Sequence, residues 1–122
     1  MSQIIFNFGM IKINSSKMDS NAIIIKNKIK ETITSVDPGV EIILYGSRAR
    51  GDERPNSDWD ILILTNYPVN ITKEREFRNA LYDVELETGE VFSVFIYYKK
   101  DWNEKQRITP FYQNVTNEGI RI

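Results

Sequence analysis

The chain has 122 residues, with 16 Lys and Arg against 17 Asp and Glu, for a net charge of −1. That length suits one domain, and the even charge gives no support for gripping nucleic acid by bulk electrostatics. Cysteine and histidine are both absent, which excludes disulfides, thiolate nucleophiles, serine–histidine triads and Cys- or His-ligated zinc or haem; what remains is oxygen ligands, which favour hard cations such as magnesium or manganese.

In chain order, residues 1–17 read either as a leader or as an edge strand, because Ile4, Phe6 and Phe8 alternate. The apolar run is too short to span a bilayer, and no basic residue precedes it, so the expectation is a cytoplasmic protein with no membrane partner. Residues 18–122 form the expected domain. A helix is predicted to start near Asp19 or Ser20, either of which can cap it. Its buried stripe is Ala22, Ile25, Ile29, Ile33 and Val36, and Asp37-Pro38-Gly39 ends it.

Two strands follow, Glu41 to Tyr45 and Asp58 to Thr65, the second apolar on both faces apart from its acids, as a central strand is. The spacing predicts a helix from about Thr72, a possible cap, to Thr88, with Phe77, Ala80, Leu81, Val84 and Thr88 facing the core and Gly89 as its stop. Tyr82 and Leu86 fall on another face, a pattern expected when another subunit or a second copy covers the helix. A third strand spans Val91 to Tyr98, and Asp101 to Gln106 can form a short helical turn. Thr109-Pro110 opens a last helix ending near Asn117, with Gly119 as its stop and Ile120 to Ile122 as a small terminal strand. The fold class is therefore α/β, a small mixed β-sheet with helices packed on it.

The chemistry lies between the first two strands. Gly46-Ser47 is followed by ten residues and then Asp58-Trp59-Asp60. Residues i and i+2 of a strand share a face, so Asp58 and Asp60 are expected to project together, with Trp59 opposite them in the core. Two such carboxylates repel unless a divalent cation neutralises both. Gly46 has no Cβ and lets a phosphate approach the backbone, and Ser47 offers a hydroxyl and an N–H. Residues 47–50 can begin a helical turn, and Arg48 and Arg50 can bring positive charge to a triphosphate. Asp52 and Glu53 read as solvated loop residues.

Gly-Ser-Arg-Ala-Arg-Gly followed by Ser-Asp-Trp-Asp, Gly46 to Gly51 and Ser57 to Asp60, resembles the signature of the polymerase-β-like nucleotidyltransferase superfamily, in particular its minimal single-domain members. The likeness runs from about residue 20 to the end and takes in Pro110-Phe111-Tyr112 and Glu118-Gly119 more loosely. It implies the polymerase-β-like fold and transfer of a nucleoside monophosphate, AMP from ATP, to a hydroxyl, with magnesium as cofactor. Gly46 and Ser47 would then hold the triphosphate, Arg48 and Arg50 would assist, and Asp58 and Asp60 would be the catalytic metal ligands. It also implies a small helical partner of the HEPN type, whose tyrosine is the acceptor in toxin–antitoxin pairs.

One position departs from the family pattern. Ser93 stands where the family carries a third carboxylate, and serine neither neutralises a cation nor readily takes a proton. Glu85, Glu87 and Glu90 are near in sequence, but none is an obvious replacement. Two further readings therefore stay open: a catalytically weak or inactive module that binds and regulates a partner, and a plain globular domain whose acidic loop does nothing.

Overall fold

A computed structural model describes residues 16–122. The leader or edge strand expected at the N-terminus falls mostly outside the described residues. The elements are α1 (Ser16–Val36), β1 (Glu41–Tyr45), α2 (Ser47–Arg50), β2 (Trp59–Thr65), α3 (Ile71–Thr88), β3 (Phe92–Tyr98), α4 (Lys99–Lys105), α5 (Pro110–Glu118) and β4 (Ile120–Arg121). Helix α1 starts at Ser16, ahead of both expected caps, because polar residues can propagate a helix as well as cap it.

The sheet has the order β3-β2-β1-β4. Strands β1 and β2 run antiparallel, as do β1 and β4, whereas β2 and β3 are parallel. A parallel pair needs a crossover, and α3 supplies it. Period-two alternation along β2 then separates two cores. Trp59, Ile61 and Ile63 pack under Ile25, Ile29 and Ile33 of α1 and Phe77 and Leu81 of α3. Leu62 and Leu64 pack with Tyr45, Trp102 of α4 and Val115 of α5 on the other face. Each buried isoleucine contributes about 2 kcal/mol by area, so the stripe on α1 is a main anchor of that layer.

Helix ends show where sequence reading slips. Asn70, not Thr72, caps α3, its side chain accepting from the Lys73 N–H at 2.8 Å. Thr109 caps α5 as expected, accepting from the Tyr112 N–H at 3.1 Å, with Pro110 next. Gly89 takes the left-handed conformation that ends α3, φ 77°. No helix among the described residues is long and apolar enough to cross a membrane.

Candidate active site

β1 ends at Tyr45, and the chain turns at once through Gly46 into the single helical turn α2. Gly46 has φ 75°, and its carbonyl accepts from the N–H groups of Ala49 and Arg50, both at 3.0 Å. A Cβ built on Gly46 would lie 2.1 Å from Oδ2 of Asp60, so only glycine allows this approach. The carbonyl of Ser47 is occupied by the N–H groups of Gly51, at 2.9 Å, and Asp52, at 3.2 Å.

Asp60 sits in β2 opposite Tyr45 of β1 and Ser93 of β3. Cross-strand partners share a face, so Asp60 and Ser93 project to the same side, the side covered by α4 and α5. Ser93 thus occupies the sheet position next to the acid. Asp58 lies one residue before β2, not inside it as expected, and is exposed, whereas Asp60 is half-buried. Asp58 nevertheless acts on its neighbour. Burial, then Asp58, then Glu118 push the Asp60 carboxyl above its usual range, and Arg50 only partly offsets them. Among the described residues no three acids are arranged to hold a metal ion together. A carboxylate pair short of positive charge still has the donor chemistry that a hard divalent cation takes.

The two arginines separate. Arg50 lies on the Asp60 side, pairing with Asp52 at 3.2 Å and with Glu118 at 3.1 Å. Arg48 is a wall of the loop instead. Its guanidinium lies 4.6 Å over the Trp59 ring, donates to the Ser57 carbonyl at 3.0 Å and faces Glu90 at 3.6 Å. Trp59 is 2% exposed, on the α1–α3 face, and donates from Nε1 to Glu90 at 2.8 Å. Arg48 is therefore not brought beside the acids, because alternate residues of the short turn α2 face opposite layers. Glu85 accepts from the Phe92 N–H, and Glu87 pairs with Lys28, so neither they nor Glu90 stands in for the missing third acid. Glu53 is half-buried, with one carboxylate oxygen enclosed, rather than the solvated residue expected.

One residue without an expected role joins the group. Glu118, the last of α5, accepts the Gly46 N–H at 2.7 Å. Its sequence signal was its place beside Gly119 in the C-terminal part of the resemblance. Two open clefts lie apart from Gly46, Asp58 and Asp60: one of about 450 Å3 beside Glu41 and Trp102, and one of about 310 Å3 walled by Arg48, Glu53 and Glu90 with Asn21 and Arg54.

The family model for the nucleotidyltransferase domain matches residues 26–119. The chain belongs to the nucleotidyltransferase domain family. Solved structures agree on the fold. A toxin–antitoxin crystal structure with AMP-PNP matches with a TM-score of 0.57 and 20% identity, over 78% of this chain and 69% of that one. A mutant of the MntA–HpeT toxin–antitoxin matches with a TM-score of 0.56 and 19% identity, over 78% and 69%. No curated protein matches the chain in sequence.

Proposed function

We propose that this nucleotidyltransferase domain moves a nucleoside monophosphate, AMP from ATP, to a hydroxyl of a partner protein, with magnesium or manganese bound by Asp58 and Asp60. The observation that supports the reading is the close approach of the Gly46 turn to Asp60; the turn would serve as the phosphate cradle and Asp58 with Asp60 as the carboxylate pair. Gly46 and Ser47 would hold the triphosphate, and Arg50 would add charge at its edge. Arg48 would act at one remove, by fixing the loop that delivers Asp58. In the transfer, the acceptor oxygen attacks the α-phosphorus, the bond to the bridging oxygen breaks, pyrophosphate leaves, and the acceptor proton passes to water. A divalent cation bound there supplies charge neutralisation of the phosphates.

The similarity in fold to toxin–antitoxin structures, one with AMP-PNP, supports a nucleoside triphosphate and a partner protein as the ligands. A small helical HEPN-type protein with a tyrosine acceptor fits that pattern. Tyr82 and Leu86, 56% and 68% exposed on α3, offer one apolar surface for such a partner or for a second copy. The test incubates the protein with each labelled ribonucleoside triphosphate, magnesium and the protein encoded next to it. Label on that protein, absent with Asp58→Asn and Asp60→Asn, supports the reading.

A second reading has its own support. With Ser93 beside Asp60, the cation and the acceptor proton lack a third carboxylate. A module that binds and regulates its partner without efficient transfer accounts for that serine. A stable complex with no label transfer by wild type or variants would favour it.

A further inference from the structure

We propose that Glu118 is a positioning residue for nucleotide binding: carried in by the end of α5, its carboxylate orients the Gly46 turn and Arg50. The inference deepens the function proposed above and rests on it. Glu118 lies 72 positions from Gly46, yet its Oε2 accepts the Gly46 N–H at 2.7 Å. The same carboxylate accepts from Arg50 Nη1 through Oε1 at 3.2 Å and Oε2 at 3.1 Å. One side chain thus holds both a backbone donor and the cation of the proposed phosphate site.

Packing, rather than the freedom of a long side chain, brings it there. A Cβ on Gly119 would lie 2.5 Å from the Val115 carbonyl and 2.8 Å from Cγ2 of Ile43. Glycine at that position lets the end of α5 close onto β1, and β4 then pairs with β1 at Ile43 and Leu44. Glu118 is consequently delivered at the end of β1, where the turn begins.

The physical consequence is selection of one conformation. Gly46, at φ 75°, has more backbone freedom than any other residue type, so an acceptor fixed on its N–H removes alternatives before a ligand arrives. Arg50 is half-exposed and also pairs with Asp52. The second anchor on Glu118 keeps its guanidinium on the Asp60 side. Glu118 also adds to the negative charge around Asp60, but its hydrogen bonds are made to Gly46 and Arg50.

The test uses the full chain and titrates each of the four ribonucleoside triphosphates, with magnesium, by calorimetry. For the one that wild type binds, Glu118→Ala is expected to weaken Kd about tenfold or more. Glu118→Gln keeps an acceptor for the Gly46 N–H and is expected to fall between the two. Leu81→Ala, a cavity on the opposite side of the sheet, is the control: it lowers Tm and leaves Kd unchanged. The Gly46 amide resonance is expected to move in Glu118→Ala. Binding by Glu118→Ala as tight as wild type overturns the proposal, and tighter binding does so too, since the carboxylate would then compete with phosphate. If wild type binds none of the four, the functional reading falls, and an unmoved Gly46 resonance overturns the orientation of the turn as well.

Discussion

Gly46 and Asp60 meet so closely that the space between them admits no side-chain atom: a Cβ on Gly46 would stand 2.1 Å from Oδ2 of Asp60. Gly46→Ala meets that clash and a φ of 75° together. The expected outcome is a loss of about 1–3 kcal/mol of stability and abolition of nucleotide binding. Chemical denaturation and calorimetry check both.

Asp60 binds its proton more tightly in the folded chain than in the unfolded one, chiefly through burial and then through Asp58 and Glu118. For an acid shifted upward, ionisation opposes folding, so stability falls as pH rises through the carboxylate range. Asp60→Asn removes that penalty. Its Tm without metal at pH 7 is expected to exceed that of wild type while label transfer disappears. A Tm below wild type would contradict this account of the site's electrostatics.

Ser93 faces the same side of the sheet as Asp60, so Ser93→Asp adds a third carboxylate at the right strand position. If transfer occurs in wild type, the variant is expected to raise its rate on the order of a hundredfold by proton abstraction and firmer cation binding. Without metal the added charge lowers Tm, and magnesium restores it. Initial rates and melting curves with and without magnesium report the two effects.

Arg48 covers Trp59 and ties Ser57 to the body of the domain. Arg48→Ala is expected to cost about 1–3 kcal/mol, and lysine should not replace it, since a point charge cannot both stack and bridge. Arg50→Ala, at a half-exposed site, is expected to leave Tm nearly unchanged and weaken nucleotide binding. Urea midpoints set against Kd for the two variants separate the roles.

Away from the site, Tyr67 donates to the Asp37 carboxylate just after α1. Burial, then that bond, pushes the phenol up to about 12 from 10.0. The bond to Tyr67, then the Gly39 N–H, holds Asp37 below 3.8. The stabilisation from the phenol is full below pH 10 and is lost as pH rises from 10 to about 12. That from the carboxylate is full above about pH 4 and is lost as pH falls further. Tyr67→Phe is expected to flatten both arms of a Tm-against-pH curve.

The sequence by itself determined the α/β class, the order of the main elements and the block carrying Gly46, Ser47, Asp58 and Asp60. Those features are local: strand and helix periods, proline and glycine stops, and a motif packed into one turn and one strand start can all be read along the chain. Set against the family pattern that the motif block resembles, Ser93 also stood out as a departure. Only the tertiary structure decided that Arg48 and Arg50 part to opposite faces, since a single helical turn flanked by two layers offers each side chain a different neighbour. Only it brought Glu118 to Gly46 across 72 positions. Long-range closure of α5 on β1 depends on how the two cores fill; Gly119 permits it, but nothing along the chain near Glu118 names Gly46 as its partner.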